Sequence, residues 1–200
     1  MSQWNNYRSL QKIAVYCGAS RGHDPLYIKS AYEMGKTLAS KKIGVVYGGG
    51  NVGMMKALAD GALSVNGEIT GVIPRKLKDL ELLHPKITKH YITESMQERK
   101  MLMMQLADAF IALPGGFGTL EELAEVTTLT QLNYHDKPVG LLNVKNYFDP
   151  LLSWITHASS EGFIHPTHTD LLCVSNTPTS LLDLMSNKKH PSLDELLKEL

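Results

Sequence analysis

The sequence predicts a doubly wound α/β domain, a parallel sheet with helices on both faces. Three observations lead there. Short apolar runs of strand length alternate with longer segments of helical period along the chain. Strands separated by helices need the crossover connections of a parallel sheet. Finally, each glycine-rich stretch follows a strand, at the edge where such sheets bind ligands.

The elements read in order as follows. KIAVYCG is the first strand, and a helix runs from about Pro25 to Ser40. IGVVYGGG is the second strand, followed by a helix from about Gly53 to Val65. The strands EITGVIP and KHYIT come next, then a helix from Ser95 to Ala107, the strand AFIALPGG and a helix from Thr119 to about Asn133. PVGLLNV and DLLCVS close the series as strands, with a helix around Phe148 to Ser160 between them. This βαβα order is Rossmann-like. With 200 residues, 43% of them hydrophobic, the chain suffices for one substantial core, so a single domain over 1–200 is expected. Composition changes only after Ser186, where a helical tail is expected from about residue 187. Within it, SLDELLKEL puts Leu193, Leu196, Leu197 and Leu200 on one helical face.

Charge narrows the function. Twenty basic residues balance twenty acidic ones, so the net positive field of a nucleic-acid binder is missing and a nucleic-acid polymer is not the expected partner. Cys17 and Cys173 are far apart in strand-like contexts, which suggests a reducing cytoplasm rather than a disulfide framework. MSQWNNYRSLQK has no apolar stretch for a signal peptide, and no run approaches the roughly 20 apolar residues of a membrane helix. A soluble protein without a membrane partner is expected.

Three glycine loops converge after three strands: CGAS with Ser20, YGGGNVG with Gly48, Gly49 and Gly50, and LPGGFGT with Gly115, Gly116, Phe117, Gly118 and Thr119. Glycine allows close approach to backbone amides, and where such a loop opens a helix those amides and the helix dipole favour an anion, most often phosphate. Any one loop could be a tight turn; two of this form together point to a phosphate-bearing ligand. Gly48, Gly50 and Gly53 also satisfy G-x-G-x-x-G, but the next strand ends in Pro74-Arg75 without the acid that would meet an NAD ribose. An NADP-dependent oxidoreductase stays open as an alternative, since Arg75 could meet the extra phosphate. No P-loop motif occurs.

Thr119-Leu120-Glu121-Glu122 fits a capping box, so Glu122 reads either as a helix cap or as a carboxylate facing a ligand. Ser95-Met96-Gln97-Glu98 has the same pattern and reads as a cap alone. Arg99 and Lys100 follow it; Arg99 offers a planar fork for phosphate or carboxylate and reaches the ligand edge only if the preceding strand is parallel. His165-Pro166-Thr167-His168 lacks metal-ligand spacing, and no metal site is expected. Ser20 lacks the G-x-S-x-G context of a serine nucleophile. Met101, Met103 and Met104 read as core fillers.

Arg99-Lys100 in SMQERK followed by PGGFGTLEE, as PGGxGTxxE, closely resembles the LOG (Lonely Guy) family of cytokinin-activating enzymes. CGAS, YGGGNVGMM, GVIP, ADAFIALPGGFGTLEELAEV and HDKPVGLLNV also resemble it, from about Lys12 to Ile164. The resemblance implies hydrolysis of the N-glycosidic bond of a nucleoside 5′-monophosphate, an N6-modified adenine nucleotide or AMP. The products are free base and ribose 5-phosphate, and no metal or organic cofactor takes part. It implies Arg99 and Glu122 as the catalytic pair and substrate contacts from Gly116 through Glu122, including Leu120 and Glu121, and from Lys100, Glu81 and Thr128. RKLKDLELLHPKI departs from the family's usual loop, which bears on base selectivity. A homodimer is also implied. Some relatives have been labelled lysine decarboxylases, but no Schiff-base lysine stands out here. The competing reading is a nucleotide-binding module without hydrolysis.

Overall fold

Seven strands form one parallel sheet in the order β4-β3-β2-β1-β5-β6-β7. They are β1 (Lys12–Tyr16), β2 (Gly44–Tyr47), β3 (Ile69–Pro74), β4 (Lys89–Thr93), β5 (Ala109–Ala112), β6 (Val139–Leu142) and β7 (Leu172–Ser175). The computed structural model describes residues 9–80 and 82–189. Glu81 and the leucines of SLDELLKEL therefore lie outside the described residues. The helices are α1 (Pro25–Ser40), α2 (Gly53–Leu63), α3 (Arg75–Asp79), α4 (Met96–Leu106), α5 (Phe117–Gln131), α6 (Asp149–Ser160) and α7 (Pro178–Ser186). No helix among the described residues is long and apolar enough to cross a membrane.

Alternate residues of β1 serve opposite faces. Ile13 and Val15 join a core completed by α1, α2 and α7 through Met34, Leu58 and Leu181. Ala14 and Tyr16 join a second core with α4 and α5 through Met103, Leu123 and Val126. The sheet is thus covered on both sides, as parallel sheets require.

Strand order reverses at β1, which pairs with β2 on one side and β5 on the other. In open α/β sheets the crevice outside the carboxyl ends of such strands is the ligand position. Moreover, β4 runs parallel to β3, in register from Thr70 opposite Lys89 to Pro74 opposite Thr93. That meets the condition for Arg99, near the start of α4, to lie at the ligand edge.

Local signals explain most helix starts. Asp24 caps α1, accepting from the Leu26 amide at 2.8 Å ahead of Pro25. Ser95 caps α4 as its pattern predicts: its Oγ accepts from the Glu98 amide at 3.1 Å, while Glu98 accepts from the Glu94 amide at 2.8 Å. At α5 the capping box fails. The helix begins at Phe117 rather than Thr119, Gly116 occupies the N-cap, and no side chain caps it. Thr119 is already inside the first turn, so Glu122 is not spent on a cap. Helix α3 lacks a side-chain cap, and α7 starts at Thr177-Pro178, where Thr177 Oγ1 accepts from the Ser180 amide.

Candidate active site

The loops after β1 and β5 are stitched together at the strand-order reversal. The Gly18 amide donates to the Pro114 carbonyl at 3.1 Å. A Cβ on Gly115 would stand 2.1 Å from Thr119 Oγ1 and 2.9 Å from the Gly18 amide nitrogen, so only glycine lets these loops close. The start of α2 joins them, because a Cβ on Gly53 would lie 2.0 Å from the Ala19 carbonyl oxygen. Between them opens a cavity of about 580 Å³, walled by Ser20, Gly115, Gly116, Gly118 and Thr119 and, at the base, by Arg99 and Glu122. A Cβ on Gly116 or Gly118 would meet nothing within 4 Å, leaving the first turn of α5 open to a ligand. Amides of a helix's first turn lack intrahelical acceptors and carry the positive end of its dipole, which suits an anion.

Arg99 and Glu122 form an ion pair at this base, with Nη2 to Oε1 at 3.3 Å and side chains 12% and 8% exposed. Two further contacts aim the guanidinium: Nε donates to the Val72 carbonyl at 3.1 Å, and Nη1 reaches the Met96 sulfur at 3.8 Å. Burial pushes the Glu122 carboxyl up from 4.5 to about 7. Arg99 and Lys100 pull it down, while Glu121 and Glu125 add to the rise. It therefore exchanges its proton near neutrality, where a carboxylate is useful as base or acid. Lys100 stands behind, paired with Glu121 and, at 3.2 Å, with Glu125, and its pKa is raised chiefly by the Glu121 hydrogen bond. Burial, reinforced by Glu122, raises the Tyr16 hydroxyl and the Cys17 thiol, so neither is an anionic nucleophile at neutral pH.

The residues anticipated from sequence separate into groups. Arg99, Glu122, Ser20, Gly115, Gly116, Gly118, Thr119 and Glu121 meet at the one cavity, with Lys100 bonded to Glu121 at its edge. Gly48, Gly49 and Gly50 are buried and do not line it. Two backbone groups of their loop pair with the segment around His84: the His84 amide donates to the Gly49 carbonyl at 2.9 Å and the Asn51 amide to the Leu82 carbonyl at 2.8 Å. Phe117 is 92% exposed, and Leu120 and Thr128 line a different, apolar cavity beside α6 that includes Trp154 and Ile155. Three groups on the cavity wall escaped sequence reading. Of the methionines Met54, Met55 and Met96, the first two had a weak signal, the Met-Met after the second glycine loop, and Met96 had none. Tyr27 and Tyr147 arrive from α1 and from the β6–α6 connection, and no motif marks either.

Other chemistries fit poorly. Among the described residues no group of three or more His, Cys, Asp or Glu side chains could hold a metal ion. Arg75, the candidate for an NADP phosphate, is held in a fork by Glu94, with Nε at 3.1 Å and Nη2 at 2.6 Å from Oε1. For pyridoxal phosphate a lysine would have to enter the cavity as a neutral amine. No lysine lines it, and Lys100 nearby is held protonated by its two carboxylates.

Residues 55–185 match the family model described as "possible lysine decarboxylase". The chain is 43% identical over 173 residues to the probable cytokinin riboside 5′-monophosphate phosphoribohydrolase LOGL2 of Oryza sativa subsp. japonica, covering 86% of this chain and 71% of that protein. It is 46% identical over 157 residues to the cytokinin riboside 5′-monophosphate phosphoribohydrolase LOG1 of Arabidopsis thaliana, covering 78% and 74% respectively. A solved structure, the molybdenum cofactor binding protein of the phototrophic bacterium Rippkaea orientalis, superposes with a TM-score of 0.66 at 24% identity, covering 88% of this chain and 95% of that one. At that identity the likeness is one of fold.

Proposed function

Since the chain belongs to the LOG family of cytokinin riboside 5′-monophosphate phosphoribohydrolases, we propose that it hydrolyses the N-glycosidic bond of a nucleoside 5′-monophosphate. The substrate is an N6-modified adenine nucleotide or AMP, and the products are free base and ribose 5-phosphate. The observation that carries this reading is the buried Arg99–Glu122 pair at the base of a cavity walled by an uncapped helix start.

The 5′-phosphate sits against the first-turn amides of α5, from Gly116 to Thr119, where dipole and free donors coincide. That anchor sets the ribose over Glu122 and turns a bimolecular encounter into an oriented one. As the bond from C1′ to the base nitrogen breaks, its electron pair leaves with the base and positive charge grows on the sugar. The ionised Glu122 stabilises that charge and directs water to C1′; the water's hydroxyl stays on the sugar and a proton goes to the base. Arg99 orients substrate and holds Glu122 in place. Met55 and Met96 offer the base an apolar, adaptable wall.

We place the enzyme as a homodimer, supported by the apolar second cavity and by Trp154, 59% exposed beside it. Cys17 and Cys173 are free thiols, in keeping with a cytoplasmic location. Incubation with AMP, its N6-isopentenyl counterpart and other purine and pyrimidine monophosphates should yield equal amounts of free base and ribose 5-phosphate from at least one of them. Tight binding of intact nucleotide with no base released from any would refute hydrolysis and leave a nucleotide-binding module.

A further inference from the structure

We infer that Tyr147 is a positioning residue for the phosphate-holding loop, an inference that rests on the phosphate site proposed above. The tyrosine is carried by the connection from β6 to α6, held at three points. The Asn143 amide donates to the Ser175 carbonyl at 2.8 Å, tying the turn to the end of β7. Its side chain closes the turn, accepting from the Phe148 amide and donating to Asp149, each at 2.8 Å. Lys145 pairs with Asp24, the N-cap of α1. Lys145 and Asn146 hold φ of 51° and 60°, the left-handed conformation that turns the chain back toward the cavity.

From this turn the Tyr147 hydroxyl donates to the Gly115 carbonyl, joining a fourth loop to the other three. Its ring is held edge-on by Tyr27, with centroids 5.8 Å apart, and by Phe148 at 5.1 Å. The Gly115 carbonyl and the Gly116 amide belong to one peptide plane, so anchoring the oxygen fixes the direction of the N–H that opens α5. A hydrogen bond accepted at the oxygen also polarises the peptide and makes the N–H a better donor. Tyr147 thus acts on phosphate through Gly115 and Gly116.

Tyr147→Phe keeps the ring and removes the hydroxyl. Calorimetric titration of wild type and variant with ribose 5-phosphate and with adenosine separates the roles. The variant should bind ribose 5-phosphate about five-fold more weakly, the fold-change commanded by one hydrogen bond, with adenosine affinity unchanged and a melting temperature within about 4 °C of wild type. With AMP as substrate, KM should rise about five-fold while kcat stays within about two-fold. Unchanged ribose 5-phosphate affinity in the variant, an equal loss for adenosine, or no ribose 5-phosphate binding by wild type would overturn the inference. A wild type that binds ribose 5-phosphate yet releases no base from any nucleotide would refute the hydrolase reading and leave this test standing.

Discussion

Gly48 and Arg99 compete for one volume: a Cβ on Gly48 would stand 2.3 Å from Arg99 Nη2, the atom that meets Glu122. The absent side chain is therefore part of the site although Gly48 does not line the cavity. Gly48→Ala would displace the end of a flexible side chain, not the backbone, so stability should fall by less than about 1.5 kcal/mol. The guanidinium must move, however, and base release should fall about 100-fold. Thermal melting beside AMP turnover checks both, and full activity in the variant would contradict the role given to Arg99.

Because Glu122 is held at about 7 and acts as the ionised form, kcat/KM should rise with pH through about 7 and level off above it. Stability should move the other way. A carboxyl raised on folding from 4.5 to about 7 gives stability that is fully present below 4.5 and lost as pH climbs through about 7. Between pH 4.5 and 8, Glu122→Gln should therefore gain up to about 3 kcal/mol relative to wild type. Denaturant melts of both proteins across that range measure it, and a pH-independent difference would place the Glu122 carboxyl in its ordinary range.

Lys100 and Glu121 should shift that pH limb in opposite directions. Lys100 pulls the Glu122 pKa down and Glu121 pushes it up. Lys100→Met should move the midpoint of the kcat/KM profile to higher pH and Glu121→Gln to lower pH, the latter by a fraction of a unit because Glu121 is exposed to solvent. Shifts of the same sign would mean that the two act through loop geometry instead of charge.

Two neighbouring glycines should part company. Gly115→Ala meets Thr119 and the Gly18 backbone, so it should cost about 2 kcal/mol or more and lower the melting temperature. Gly118→Ala meets nothing and lies in the first turn of a helix, so stability should hold or rise by up to about 1 kcal/mol. Its added methyl stands where the ligand is expected, and KM for AMP should increase. Melting curves and steady-state kinetics of the pair check the contrast.

The sheet was legible because each strand is a short apolar run and its crossovers are helices; α1 was bounded at both ends by Asp24-Pro25 and the loss of pattern after Ser40. The LPGG loop and Arg99 were legible because a glycine loop and its matched arginine sit close in sequence. What escaped depends on three-dimensional neighbours. The Thr119 pattern fits a capping box, yet the glycine-rich turn lets α5 start at Phe117, so tertiary contacts at Gly115 and Gly18 overrode the local signal. YGGGNVG has the form of a phosphate loop, and its Gly49 carbonyl and Asn51 amide pair with the segment around His84, contacts with residues more than 30 positions away. Tyr147 meets Gly115 across 32 positions of sequence, and no spacing rule links them.

If Glu122 is the catalytic carboxylate, base release from AMP by Glu122→Gln tests that role most directly. The substitution keeps size and hydrogen-bonding capacity but cannot ionise, so release of adenine and ribose 5-phosphate should fall by about 1,000-fold or more while AMP still binds. A Glu122→Gln protein that releases adenine at the wild-type rate would contradict the account.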